Sequence, residues 1–558
     1  MNKHSYILVI LFGLLCIPLV SLLSVGFPLT HDGPDHVARI ANFFASLAEG
    51  NIVPRWASNL NWGYGHPILM FLYPLSSYMA SLFIFLGFSL IDSTKLVFAV
   101  TFILSGLSMY LWAGKAWGKR AGFISALLYT FAPYRFVDLY VRGAIGEHVA
   151  FIFPPLIAYA LMNLSLTFEG KNSYITKKRL IHTLLAALSV GALILSHNAL
   201  ALMFLPIIGF YTIYLFLKEG KKNTVFFVFC GLSVLLGLGL SSFFWIPAFF
   251  EGKYTLRDIV TQGTAVERFV LWGDFIKVFS WNYGQTDTLS KSIGLSQILG
   301  TMTAGWVLVM NKVNRKERIL LISSIILFVT ALFIQTAEST FVWRAVHILQ
   351  TFQFPWRFLS VVVFLTSVIG GVSFSILTRR IGKHWSLIVL TLAILLSTMF
   401  MWQPKGFSDR PDSYYSGIYD STTDTGESSP IWSIRFMEHR PAGPMDIAEG
   451  QIHISPVSRT TTTRRYEIEA AGPGRLVENT LYFPGWNVFV DGVETEIQFQ
   501  DPLYRGLITF RVTEGKHDVS IKFADTKVRT LSNFISVMSL AGVIGIFIGA
   551  FVWKKKRT

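Results

Sequence analysis

Runs of apolar residues long enough to cross a lipid bilayer recur from Ser5 to Trp402, and one more closes the chain. A helix needs ~20 predominantly apolar residues to cross the hydrocarbon core. In that medium the backbone must satisfy its own hydrogen bonds, which favours helices. The spacing predicts spans over residues 5–26, 95–113, 121–137, 149–166, 180–196, 199–217, 224–246, 293–310, 319–335, 357–377, 385–402 and 531–553, about twelve crossings in all. Composition agrees: of 558 residues, 52% are hydrophobic and 15% charged. A net charge of +15 can signal nucleic acid, but the basic residues cluster between the apolar runs. Topology accounts for them, and no nucleic-acid partner is implied. Cys16 and Cys230 both lie inside apolar runs, so neither a disulfide framework nor a thiolate metal site is indicated.

Residues 68–90 decide the orientation. They are apolar but interrupted by Tyr73, Pro74, Tyr78 and several serines. If they do not fully cross, one side of the membrane receives all the basic clusters. These are Lys115/Lys119/Arg120, Lys177/Lys178/Arg179, Lys218/Lys221/Lys222, Arg315/Lys316/Arg318, Arg379/Arg380/Lys383 and Lys554 to Arg557. The positive-inside rule makes that side the cytoplasm. Residues 68–90 are therefore expected as a re-entrant or interface-lying helix, with both termini cytoplasmic. The first run lacks a convincing cleavage site and reads as a retained helix rather than a removed signal peptide.

Just past that run stands Thr30-His31-Asp32-Gly33-Pro34-Asp35-His36. Two carboxylates and two imidazoles at a bilayer boundary, with Gly-Pro holding a turn, mark a candidate site. Such groups serve as proton acceptors in hydrolysis and group transfer. A solvated loop with Asp32 or Asp35 as helix cap explains the cluster equally well. Val37, Ile40, Phe43, Phe44 and Leu47 then recur at helical spacing, predicting an amphipathic helix to Gly50 at the interface. Pro54-Arg55-Trp56 and Asn61-Trp62-Gly63-Tyr64-Gly65-His66-Pro67 suit a structured loop at headgroup depth.

The same topology sends further loops to the outer face. These are residues 134–148, with Asp138, Arg142 and Glu147; Ser196-His197-Asn198; residues 247–292; and residues 338–356, followed by Arg357. Trp343 and Trp356 are expected in an interfacial aromatic belt. For Arg142 and Arg357, snorkelling or pairing with an acidic neighbour stands level with phosphate binding.

From 403 to 530 the pattern changes. Residues 465–469, 487–490, 494–499, 507–512 and 517–523 alternate as short strands, with turns at Asp491-Gly492 and Glu514-Gly515. This predicts a small extracytoplasmic β-sandwich-like domain, with residues 403–460 as a loop leading into it and a C-terminal transmembrane helix and basic tail from 531 to 558. No phosphate loop, HExxH or CxxC is present. The few charges within the spans argue against an ion-coupled transporter.

The order of these features resembles the GT-C superfamily of membrane glycosyltransferases. HDGPDHVARI, NWGYGHPILMFLYPLSSY, YRFVDLYVRGAIGEHVAF, LSHNAL and QFPWRFLS resemble the 6-pyruvoyl-tetrahydropterin synthase-related membrane proteins, a name that implies no pterin activity. Tyr482-Phe483-Pro484-Gly485-Trp486 with Val490-Asp491-Gly492 resembles the C-terminal domain of YfhO-like bacterial membrane proteins. The resemblance implies transfer of a sugar from a polyprenyl-phosphate carrier to a glycan, lipid or polymer acceptor outside the cytoplasm. It places the catalytic base at Asp32, with Asp35 as second choice. A further acidic residue falls at Asp138, or less readily at Glu147.

Chemistry fits independently. The carrier cannot leave the bilayer, so reaction belongs at the interface. An exposed Asp is ionised near neutral pH and can take the acceptor proton. Arg142 and Arg357 are candidates to stabilise the leaving phosphate, with Lys253 behind them. Displacement without a covalent intermediate predicts inversion. Whether a divalent ion joins Asp32 and Asp138 is left open by the residues. The rival readings are a non-catalytic lipid or polysaccharide translocator and an envelope assembly scaffold.

Overall fold

The computed structural model describes residues 3–168, 175–218, 224–261, 266–284, 288–310, 313–379 and 383–552. Lys221, Lys222, Arg380 and the basic tail Lys554 to Arg557 lie outside them. The chain is a polytopic helical membrane protein with a C-terminal β-sheet domain. Among the described residues, seven helices are long and apolar enough to cross a bilayer: Tyr6–Leu23, Leu90–Trp117, Ile145–Leu166, Lys177–Ser196, Asn198–Lys218, Pro355–Leu377 and Lys527–Ala550. Two bent pairs raise the number to nine if each is one span: Val225–Leu240 with Ser242–Phe250 (69°) and Arg315–Phe333 with Ala337–Ala345 (92°). The expectation of about twelve also included 121–137, 293–310 and 385–402. Their helices are short. Lys119–Thr130 has 12 residues and Leu295–Val309 has 15, so neither reaches ~30 Å at 1.5 Å per residue.

Residues 68–90 form two pieces. Ile68–Phe71 and Leu75–Phe85 flank a break at Pro74, and the longer piece has 11 residues. That is too short to cross. The amphipathic helix runs from Gly33 to Ala48 and buries Val37, Ile40 and Phe43. The spanning helices differ in surroundings. Pro355–Leu377 is almost wholly enclosed by protein, whereas Lys527–Ala550 is almost wholly open to its surroundings. A helix apolar on every face suits either the centre of a bundle or lipid. Trp343 and Trp356 do not form a belt. Both are buried in the helical core, and Trp343 Nε1 donates to the Ile334 carbonyl at 2.8 Å.

The β-domain is two packed antiparallel sheets. One has the order Ile452–Arg459, Thr463–Ala470, Gly515–Phe523, Trp486–Val490, Val493–Thr495; the other has Met445–Glu449, Gly474–Leu481, Leu507–Val512. Tyr466, Ile468, Leu476, Trp486, Val488, Ile508, Phe510, Val519 and Ile521 fill the core between them. Asp491 and Gly492 both take positive φ and make the tight hairpin that their sequence predicts.

Three strands escape the alternating pattern. Met445–Glu449 and Ile452–Arg459 fall where a loop was expected. Ile452–Arg459 is an edge strand, and its register shifts between Pro456 and Ser458; edges tolerate proline. Gly474–Leu481 is buried along its whole length and hides its polar residues through pairing. Glu478 lies 3.3 Å from Arg464 Nε and accepts from the Tyr466 hydroxyl at 2.6 Å.

The two parts are locked together. Trp56, from the loop after the amphipathic helix, enters the β-core edge-on to Trp486, with ring centroids 5.3 Å apart. Phe27–Pro28 pairs with Phe407–Ser408. At the other junction Arg529 is fully buried. Its Nε meets Glu251 Oε2 at 2.8 Å, Nη1 donates to the Ala524 carbonyl and Nη2 to the Pro484 carbonyl. One guanidinium thus ties the bent helix pair, the sandwich and the last span.

Glu251→Gln leaves that cation buried without its counter-charge. It is expected to destabilise the purified full-length protein by about 3–5 kcal/mol, read as a lowered unfolding midpoint in detergent. The double variant Glu251→Leu/Arg529→Met should recover much of the loss. A double variant no more stable than the single one contradicts this account.

Candidate active site

The His31–Asp32 turn is held from behind by the loop that follows Pro133. Residues 137–142 form a wide helical turn, and Gly143 ends it with φ +68°. His31 N–H donates to the Val141 carbonyl at 3.0 Å, and Asp32 N–H donates to the Arg142 carbonyl at 2.7 Å. A Cβ on Gly143 would stand 2.4 Å from Thr30 Oγ1 and 3.0 Å from Gly33 N. Only glycine permits that approach together with the left-handed backbone. The turn thereby sets Asp32 beside Arg142.

The two carboxylates of the turn have different surroundings. Asp32 occupies the cap position of helix Gly33–Ala48 but its side chain does not cap it. Among the described residues its carboxylate has no hydrogen bond or ion pair, and it is half-buried. Asp35 accepts from the Tyr419 hydroxyl at 3.2 Å. Burial pushes the Asp35 carboxyl above its usual range, with Arg39 opposing in part and Asp32 adding to the rise. His36 is buried, and burial followed by the Arg39 charge holds it neutral. Arg39 Nη1 lies 3.0 Å from His36 Nδ1, and its Nε donates to Thr423 Oγ1 at 2.8 Å.

Behind Asp32 lies a buried charge cluster centred on Glu147. Glu147 Oε1 is 3.0 Å from Arg142 Nη1, 3.0 Å from Arg357 Nε and 3.8 Å from His197 Nε2. Oε2 accepts from the Tyr134 hydroxyl at 2.6 Å. Arg142 Nη1 also meets Asp138 Oδ1 at 2.8 Å. Aromatic faces support both guanidiniums: Arg142 stands 4.5 Å over Trp356, and Arg357 stands 4.9 Å over Phe354, which also carries Arg268 at 4.6 Å. Each arginine therefore spends part of its donor fork on Glu147. Arg142 Nε and Nη2 and Arg357 Nη2 are bonded to no described residue and are not sealed off.

A segment leading into the β-domain crosses this region. Tyr419 reaches Asp35, Thr423 holds Arg39, Glu427 accepts from the Gln353 amide, and Ser429 Oγ lies 3.2 Å from His66 Nε2. Burial raises the Glu427 carboxyl, and nearby Asp424 adds to the rise.

The structure thus gathers Asp32, Asp35, Arg142 and Arg357 at one end of the bundle, and sets Asp138 and Glu147 inside it rather than on an open loop. Asp138 is fully buried, and its second oxygen has no partner among the described residues. Lys253 lies instead over the ring of Tyr254. Among the described residues no three His, Cys, Asp or Glu side chains converge to hold a metal ion. Asp138 turns one oxygen to Arg142. Glu147, ranked below Asp138 from sequence, is the hub. His197, Tyr73 and Tyr419 went unassigned. His197 stood in a noted turn, and Tyr73-Pro74 interrupts an apolar run, which is the one local sign available.

No family model matches the chain, so neither family name suggested by its motifs gains support there. A protein of Lactococcus lactis subsp. cremoris (strain MG1363), described as uncharacterized, is 26% identical over 262 residues, 45% of this chain and 39% of that protein. The chain therefore spans well under half of that curated relative. Among solved structures, arabinofuranosyltransferase AftD from Mycobacteria is similar over 74% of this chain and 28% of its own, at 16% identity and TM-score 0.45. The Archaeoglobus fulgidus oligosaccharyltransferase tethered with an acceptor peptide is similar over 76% and 56%, at 16% identity and TM-score 0.42. ArnT from Cupriavidus metallidurans covers 68% and 78%, at 14% and 0.25.

The raised Asp35 carboxyl has a measurable consequence. Its folded-state value lies above the ordinary 3.8, so the ionised form costs stability. The cost grows as pH rises from about 4 through the folded value. Asp35→Asn, which can still accept from Tyr419, should unfold at a higher temperature than wild type at neutral pH. The two should converge below about pH 4. A difference independent of pH between 4 and 7 contradicts the assignment.

Proposed function

We propose that the protein is a GT-C-like membrane glycosyltransferase. It moves a sugar from a polyprenyl-phosphate carrier to an extracytoplasmic glycan, lipid or polymer. The carrying observation is the Asp32 carboxylate, unpaired among the described residues and set beside Arg142, which one buried glutamate joins to Arg357 with donor edges of both arginines free. A base and an anion cradle are thus adjacent at the end of a bilayer-spanning bundle. The described basic clusters lie at the opposite helix ends, where Arg379 pairs with Glu317 across two helices. That supports a cytoplasmic location for the basic end and for both termini, with the β-domain outside.

In this reading the acceptor hydroxyl attacks the anomeric carbon while Asp32 takes its proton. The bond from that carbon to the phosphate oxygen breaks, and the electron pair stays on the phosphate. Arg142 and Arg357 stabilise the charge that develops. One displacement inverts the anomeric centre. Glu147 orients both arginines, and Asp138 shares the Arg142 Nη1 contact with it.

The test is transfer from radiolabelled polyprenyl-phosphate sugars in membranes carrying matched amounts of wild type, Asp32→Asn or Asp35→Asn. Asp32→Asn should lower transfer by about 10²–10⁴-fold, and Asp35→Asn should retain most of it. Equal transfer by wild type and Asp32→Asn removes this mechanism. Cellular function retained with both carboxylates neutralised favours the scaffold.

A further inference from the structure

The break between helices Ile68–Phe71 and Leu75–Phe85 carries a side chain that no role yet accounts for. Leu72 is extended, and Pro74 opens the second piece, so Tyr73 projects at the interruption rather than along a helix. Its ring stacks on His197, with centroids 4.7 Å apart and planes at 30°. It also lies directly on the backbone of Ile145–Ala150. A Cβ on Gly146 would stand 1.9 Å from Tyr73 Cε2 and 2.3 Å from Cζ. Any side chain at 146 has to move the ring. Gly146 precedes Glu147, so the contact sets Tyr73 against the charge hub.

The phenol is surrounded by the groups the proposed reaction uses. Asp32, Glu147, Arg357 and Arg39 all act on it electrostatically. Yet the hydroxyl bonds to no described residue and is not sealed off. Burial pushes its pKa up to about 12, so it keeps its proton and can only donate or accept a hydrogen bond. A protonated hydroxyl that is accessible and set among these charged groups can donate to an anion that enters beside them.

We propose that Tyr73 is a substrate-contacting residue, whose hydroxyl donates a hydrogen bond to a phosphate oxygen of the carrier between Asp32 and the Glu147–Arg357 pair. This rests on the reaction proposed above and adds a third donor to its two arginines. No proton leaves the phenol; the hydrogen bond strengthens as the phosphate gains charge. Gly146 and His197 are positioning residues for the ring.

The experiment is calorimetric binding of farnesyl phosphate to the purified full-length protein in detergent, with farnesol as the probe lacking phosphate. Tyr73→Phe keeps the ring, the stack and the packing on Gly146. It should bind farnesyl phosphate about tenfold more weakly, with farnesol affinity and the unliganded unfolding midpoint unchanged. Gly146→Ala should weaken farnesyl phosphate in the same direction by displacing the ring. Should Tyr73→Phe bind farnesyl phosphate like wild type while Arg357→Gln loses it, Tyr73 is only a packing residue and the cradle stands. Should wild type bind farnesyl phosphate no better than farnesol, the cradle itself fails and this inference falls with it.

Discussion

One buried carboxylate organises the far end of this helical bundle. Glu147 receives Arg142 and the Tyr134 hydroxyl from its own loop and Arg357 from a distant helix start. A lone carboxylate there would be prohibitively costly to ionise. So would either guanidinium without it. Their mutual dependence fixes the approach of the segment after Pro133 to the segment before Leu359. Everything near Asp32 follows from that approach. The Arg142 carbonyl that holds the Asp32 amide belongs to the residue that Glu147 anchors.

The β-domain repeats the device at its own border. Arg529 is as deeply buried as Glu147, and Glu251 with two carbonyls consumes its donors. Trp56 inserted beside Trp486 makes the sandwich core continuous with the loop after the amphipathic helix. The segment that joins the last short helix to the sandwich is therefore held at both ends. It lies over Asp35, Arg39 and Gln353 through Tyr419, Thr423 and Glu427.

Legibility in the sequence followed the range of the interaction. The tight turn at Asp491-Gly492 and the amphipathic helix through Val37 and Leu47 depend on neighbours a few residues away, and both were readable, although the helix begins at Gly33 rather than Val37. Strand Gly474–Leu481 was not. Its Glu478 and Asn479 look solvent-facing until Arg464 and Tyr466 are brought across from another strand. Trp343 and Trp356 looked like interfacial aromatics because ring chemistry cannot tell a headgroup from a buried carbonyl or a guanidinium. Asp138 outranked Glu147 for a similar reason. Both are acids in one loop, and only the positions of Arg357 and His197, some fifty to two hundred residues on, separate them.

Composition and spacing alone determined that the chain lives in a bilayer, that residues 68–90 hold no helix long enough to cross it and that a β-rich domain precedes the last span. These are consequences of apolar run length, backbone hydrogen bonding and strand period, which act locally. Tertiary structure decided which charges meet. It left Asp32 unpaired while pairing Asp138, made Glu147 the hub, and placed Tyr73 against Gly146. The physical reason is that a buried charge is tolerable only with its partners in place, and the chain brings those partners from separate elements that no local pattern connects.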